Sequence, residues 1–323
     1  MISFSDEERQ AALDHCITRT DVPSREEPYR GKVRDVYTLA DQVIGIVVTD
    51  RISAFDHIMR QAIPFKGQIL NRLSAFSFEK VEDIVDTHVI DVPHPNVTIA
   101  KKCDPIPVEV VIRACLTGHA WRTYKSGKRE LCGVSLPGGM AEHQKFDRPI
   151  LTPATKAQEG HDEDISEQEI LKNRIVSPSL WEQIRETAFQ LFERGAKIAS
   201  DRGLILVDTK YEFGLHEGQL VLIDEVHTTD SSRYFYAEGY EQRLKNRKPQ
   251  KQLSKEFLRE WLIEQGFQGL ERQKLPDLPD SFRWSVFQRY AELFEILTGE
   301  TFQPYPVNNF DDELEEIFAS VLE

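Results

Sequence analysis

The chain has 323 residues, 40% hydrophobic and 29% charged, with 17 glycines and 16 prolines: globular composition, neither fibrous nor disordered, and length enough for two domains. Its formal net charge of −14 repels a nucleic-acid backbone, so no nucleic-acid partner is expected. No apolar run approaches the roughly 18 residues of a membrane span, and residues 1–10 hold four charged side chains and no signal segment, so neither a membrane nor a secreted protein is expected, and a cytoplasmic location is.

Residues 29–37 alternate small polar and apolar side chains, and 43–49 is a β-branched run; the stretch between them predicts a β-hairpin. Ile69, Leu73 and Phe76 recur at helical spacing. Pro105 and Pro107 fix φ and interrupt regular structure just before 108–116, a buried-strand pattern carrying Glu109 and Arg113. A boundary is placed there, giving a small β-rich N-terminal domain of 1–105 and a larger domain of 106–323. The four cysteines, Cys16, Cys103, Cys115 and Cys132, form no Cys-x-x-Cys pair; reduced thiols are expected, with a bridge within 103–132 left open. Residues 136–140 read as a turn. Ser177-Pro178 opens a helix whose stripe is Trp181, Ile184, Ala188, Leu191 and Ile198, and Gly203 closes it. Strands are expected over 204–215 and 220–226. Three helices follow, marked by Phe257/Trp261/Leu262, Phe287/Tyr290/Phe294/Leu297 and Phe310/Leu314/Ile317/Val321. Mixed strands and helices without regular βαβ alternation predict an α+β fold. The basic run 243–255 and the acidic run 311–316 read as solvated faces.

The most informative segment is 204–214. Four apolar residues precede Asp208, Lys210 and Glu212, which share one strand face by alternation. Buried charges are costly unless paired or bound to an ion. If the hairpin turns about Gly218, Glu212 and Asp224 come level within a residue, where facing Cβ atoms lie roughly 4.5–5.5 Å apart. Two carboxylates that close need a proton or a cation between them, and oxygen-only ligands suit Mg²⁺. A salt-bridged hairpin with both acids in water fits the same pattern. Gly31-Lys32-Val33-Arg34-Asp35 sets Lys32 and Arg34 on one strand face beside a glycine, in the manner of a phosphate-covering loop, although neither the P-loop nor the dinucleotide fingerprint occurs. Arg113 interrupts an apolar strand near Thr117-Gly118-His119 and calls for an anion; Ser231-Ser232-Arg233 offers hydroxyls and a guanidinium. Loop 49–56 contains Ser53 and Asp56, and the polar stretch 152–166 contains Lys156, His161 and Asp162.

Together, Gly31–Tyr37, 49–56, 108–121, 151–166, 204–215 and 222–233 resemble the SAICAR synthetase (phosphoribosylaminoimidazole-succinocarboxamide synthase) family, in the family's order. The resemblance implies an ATP-dependent ligase that joins L-aspartate to carboxylated aminoimidazole ribonucleotide (CAIR). It implies a small N-terminal antiparallel β domain like a protein-kinase lobe, an ATP-grasp-like α+β domain with C-terminal helices, and ATP in the cleft. Gly31, Lys32 and Arg34 would meet the ATP phosphates, and Glu109 and Asp224 would also bind the nucleotide. Glu212 and Asp224 would hold Mg²⁺, with Asp208 and Lys210 beside them. Arg113 and Arg233 would grip the ribonucleotide phosphate, and Ser53 and Asp56 would meet the imidazole nucleotide. Lys156 and Asp162 would shape the substrate loop, and Asp208 or Asp162 would accept the amine proton. His119 stands where the family commonly has serine, so an imidazole would replace a hydroxyl contact to phosphate. The expected partners are small-molecule substrates, with a monomer favoured and no membrane contact.

Two other readings share the inventory. A small-molecule kinase carries the same phosphate loop, acids and clamps, and a nucleotide-sensing protein needs only part of them. The ligase is the expectation from the resemblance; the sensing protein ranks below both enzymes, because four charged residues on one apolar hairpin exceed what holding a nucleotide requires, and product analysis separates the ligase from the kinase.

Overall fold

The computed structural model describes residues 3–156, 163–307 and 309–321. The chain divides into two units, one of 1–76, 88–102 and 254–323, the other of 77–87 and 103–253.

In the first unit five antiparallel strands run in the order Tyr29–Arg30, Arg34–Ala40, Val43–Val48, Val97–Lys101, Val89–His94. The expected hairpin is present and turns at Asp41-Gln42. Its inward residues Tyr37, Leu39 and Val47 meet Val97 and Ile99, and the cluster is completed by Leu314 and Phe318 of the helix Phe310–Ser320. A Cβ on Gly45 would stand 2.6 Å from the Phe318 ring, so a glycine in mid-strand lets that helix approach. This packing places 254–323 in the first unit, where the sequence expectation ran the second domain through to 323. The three late helices form where the apolar spacing put them, over Glu256–Glu264, Asp280–Thr298 and Phe310–Ser320. Lys32 departs from expectation. It lies in the turn Gly31-Lys32-Val33 that joins Tyr29–Arg30 to Arg34–Ala40, so it shares no strand face with Arg34.

The second unit is built on an antiparallel sheet in the order Lys145–Leu151, Val108–Cys115, Leu204–His216, Ser232–Tyr236, Gln252–Leu253. The 13-residue strand Leu204–His216 is its spine and pairs further with Gln219–Ile223 and Asp104–Pro105. The Pro105 segment was expected to be irregular; it makes a two-residue edge strand instead, a position where the missing N–H costs the ladder little. The helix Pro178–Asp201 packs on the spine strand. Its start is capped by the Ser177 hydroxyl, which accepts from the Leu180 N–H at 3.3 Å, and Gly203 at φ +74° follows its end. Ile184, Ala188 and Leu191 are fully buried. All four cysteines are free thiols. Among the described residues no helix is long and apolar enough to cross a membrane. The architecture is α+β, and the paired strands named above run antiparallel.

Candidate active site

The spine strand of the second unit organises two charge clusters. Asp208 stands level with Arg113 on one neighbouring strand and with Arg233 on the other. A register slip between Leu206 and Asp208 brings Arg233 into line. Arg113 Nη1 lies 3.2 Å from Asp208 Oδ2, and Arg233 Nε lies 3.7 Å from Asp208 Oδ1. All three side chains are 11–12% exposed. Burial lowers the Arg113 pKa; Asp208 opposes that shift and Arg233 adds to it. Two guanidiniums against one carboxylate leave a local positive excess, which suits an anion.

Arg113 Nε also donates to Thr152 Oγ1 at 2.9 Å, and Arg233 Nη1 to Thr117 Oγ1 at 3.0 Å. Thr117 is the N-cap of the helix Gly118–Lys125, but its hydroxyl makes no capping bond; it is shared with Arg233 and with His143 Nδ1 at 2.9 Å. The helix start thus presents its N–H groups beside the Arg233 guanidinium. Gly118 has φ +57°, and a Cβ there would stand 2.6 Å from Arg233 Nη2. Glycine takes this left-handed conformation without strain and leaves room for the guanidinium. The next residue, His119, holds Asp164 Oδ2 at 2.7 Å from Nε2, and this bond is the chief reason the Asp164 carboxyl titrates below its ordinary value.

Further along the same strand, Lys210 gathers three carboxylates. Its Nζ lies 2.8 Å from Glu109 Oε1 and 3.9 Å from Asp224 Oδ2, and it pairs directly with Glu212. Lys156 takes the other oxygen of Glu212. Burial opposes the charge on Lys210, yet Glu212, Asp224 and Glu109 hold its pKa well above the usual lysine range. Burial likewise pushes Glu212 up, and Lys210 and Lys156 outweigh it, so Glu212 titrates well below the usual carboxylate range. Glu212 faces Ile223, one residue short of Asp224, as the sequence register implied. The second hairpin strand was expected to run to 226; it ends at Ile223, because Asp224 takes a left-handed φ of +69°. That turn carries the Asp224 carboxylate towards Lys210. No group of three His, Cys, Asp or Glu is arranged to hold a metal among the described residues. A pair of carboxylates is the usual protein share for Mg²⁺, which takes its other ligands from water and substrate phosphate; Glu212 and Asp224 are donors of that kind, and in this structure both Glu212 oxygens are held by Lys156 and Lys210. Asp162 and His161 lie outside the described residues.

In the first unit Gly31 and Lys32 form the hairpin tip, and Arg34 begins the strand after it. Lys32 pairs with Asp56. Phe55 and Asp56, at φ +51° and +62°, make the tight turn between Ser53–Ala54 and His57–Ile58. Ser53 is buried, with Lys255 Nζ 3.5 Å from its hydroxyl. Arg51, the base of loop 49–56 to which the sequence assigns no role of its own, reaches the carbonyls of the hairpin tip with its guanidinium. A lone arginine in a loop carries no local mark of that long-range role.

Residues 27–274 match the family model described as SAICAR synthetase. A phosphoribosylaminoimidazole-succinocarboxamide synthase of Bacteroides thetaiotaomicron is 50% identical over 304 residues, 93% of this chain and 97% of that one. The solved SAICAR synthase of Saccharomyces cerevisiae, complexed with SAICAR, aligns at TM-score 0.76 and 32% identity over 89% of this chain and 100% of that one. A type-2 SAICAR synthetase in complex with ADP aligns at TM-score 0.66 and 25% identity, over 86% of this chain and 100% of that one. Matched along most of its length, and sharing 50% of aligned residues with a relative across nearly the whole chain, the protein belongs to the SAICAR synthetase family.

Proposed function

We infer that this chain condenses CAIR with L-aspartate, using ATP, to give SAICAR, ADP and phosphate in purine biosynthesis. The relatives solved with SAICAR and with ADP support the product and the nucleotide. One observation carries the assignment to residues: the row Arg113–Asp208–Arg233 beside the glycine-opened helix, whose Asp208 shares its strand with Lys210 and Glu212.

A carboxylate is a poor acyl donor. Transfer of the γ-phosphoryl group of ATP to a CAIR carboxylate oxygen gives an acyl phosphate and releases ADP. The aspartate amine then attacks the acyl carbon, loses a proton, and inorganic phosphate leaves. In the first unit Gly31, Lys32 and Arg34 serve the ATP phosphates, and Ser53 and Asp56 the imidazole nucleotide. In the second unit Arg113, Arg233 and His119 serve the ribonucleotide phosphate, and Glu109 and Asp224 the nucleotide. Glu212 and Asp224 are the residues that would hold Mg²⁺, which neutralises charge on a transferring phosphoryl group. Lys210 remains an ammonium at neutral pH, so it acts as a fixed positive charge and not as a base; Lys156 adds a second. Asp208 or Asp162 takes the amine proton, and Asp208 also aligns the two arginines. Charged small-molecule substrates support a cytoplasmic location.

The test is product analysis. With MgATP and CAIR, SAICAR, ADP and phosphate are expected to appear together only when L-aspartate is added. Continued turnover of ATP to ADP without aspartate, with a stable phosphorylated product accumulating beyond one equivalent of enzyme and no free phosphate, overturns the ligase in favour of a kinase. At the phosphate clamp, Gly118→Ala is expected to raise the KM for CAIR about tenfold, since left-handed strain and a guanidinium clash cost about 1–3 kcal/mol. Steady-state kinetics with CAIR varied reads this, and an unchanged KM removes Gly118 from the clamp.

A further inference from the structure

The hairpin tip Gly31-Lys32-Val33 is too short to hold its own shape. Turns of this kind have soft dihedrals, and the Gly31 N–H to Arg34 carbonyl bond, 2.8 Å, ties it internally. From outside, the Thr49 N–H and hydroxyl hold the Val33 carbonyl at 3.0 and 2.8 Å, and Arg51 holds the other two tip carbonyls. Its Nη2 donates to the Gly31 carbonyl at 3.0 Å and its Nε to the Lys32 carbonyl at 3.3 Å. Nη1 donates to the Thr18 carbonyl at 2.7 Å, and Nη2 also meets Asp35 Oδ1 at 2.8 Å. Asp35 is fully buried and is itself anchored by Arg30 Nη1 at 2.8 Å and by the Thr20 N–H at 3.1 Å. The guanidinium therefore grips two successive tip carbonyls from a rigid base. A planar five-donor fork can do this; a lysine ammonium has no comparable geometry.

Peptide planarity turns that grip into a statement about the opposite side. The chain has no cis peptide among the described residues, and in a trans peptide the carbonyl and the following N–H point in opposite directions. With the Gly31 and Lys32 carbonyls turned onto Arg51, the N–H groups of Lys32 and Val33 face away from it, side by side. Successive backbone N–H groups presented in this way form an anion-binding concavity.

We propose that Arg51 is the positioning residue of the phosphate loop: by holding the Gly31 and Lys32 carbonyls it aims the Lys32 and Val33 amides at a nucleotide phosphate. The proposal rests on the reading that the Gly31–Lys32 tip serves ATP.

Arg51→Lys keeps the charge and loses the fork. It is expected to raise the KM for MgATP about tenfold, equivalent to about 1.4 kcal/mol, and to weaken MgADP binding by calorimetry to the same extent. The kcat and the KM values for CAIR and aspartate are expected to stay at wild-type levels. Adding guanidinium ion to Arg51→Ala is expected to recover part of the lost MgADP affinity, which a general loss of folding would not allow. Lys32→Ala, assayed in parallel, separates the two ideas. If Lys32→Ala raises the KM for MgATP and Arg51→Lys does not, the role of Arg51 is overturned while the phosphate loop stands. If neither variant moves it, the phosphate-loop reading itself fails. If all constants and the melting temperature fall together in Arg51→Lys, Arg51 is structural only and the proposal is overturned.

Discussion

Asp208→Ala is expected to destabilise the protein by about 3–5 kcal/mol, the usual penalty for removing one partner from a buried ion cluster. The carboxylate sits between Arg113 and Arg233, and all three side chains are nearly buried. Without it, two guanidiniums face each other across one strand with no negative charge between them. The urea midpoint should drop accordingly, and Asp208→Asn, which keeps the volume and an acceptor oxygen, should lose less. The same reasoning predicts that inorganic phosphate raises the midpoint of Asp208→Ala more than that of the wild type, because an anion in the clamp replaces the missing charge. Equal responses to phosphate in the two proteins would show that the arginines do not form an anion site.

Glu212→Gln is expected to cut kcat by about 10²–10³, the range seen when one preorganised electrostatic group is removed from a reacting centre. The substitution preserves shape, and Lys210 keeps Glu109 and Asp224 as partners, so the fold should survive. The concentration of Mg²⁺ needed for half-maximal rate should rise with the loss of the carboxylate. Coupled ADP-release assays across a Mg²⁺ series measure both. A kcat within twofold of the wild type, with an unchanged Mg²⁺ curve, would falsify the metal assignment. Stability has its own signature here. Glu212 titrates below its ordinary value of 4.5 in the fold, so its contribution is complete above that pH and fades as the pH falls through and below it.

Local patterning made much of this legible. Alternation along 204–216 put Asp208, Lys210 and Glu212 on one face, and the register of the turn brought Asp224 level with Glu212 to within one residue. Apolar spacing located the late helices. The misses have a common cause, which is that pairing between distant segments leaves no local trace. Arg113, Asp208 and Arg233 line up only because three strands far apart in sequence share a register that slips beside Asp208. The same holds for Arg51, whose partners are at Thr18, Gly31, Lys32 and Asp35. Two errors were local. Lys32 was read into a strand when the tip already turns there, and 220–226 was read as unbroken because nothing in an Asp-Glu pair announces a left-handed residue.

The threading of the first unit bears on how the chain is made. Leu314 and Phe318 fill the core beneath the strands that hold Tyr37, Val47 and Ile99. A ribosome that has polymerised 253 residues has made every part of the second unit, while the first still lacks the wedge that closes it. The portion translated earliest is thus the last to mature, and its greasy strand surface waits, open to chaperones, through the synthesis of some 200 intervening residues.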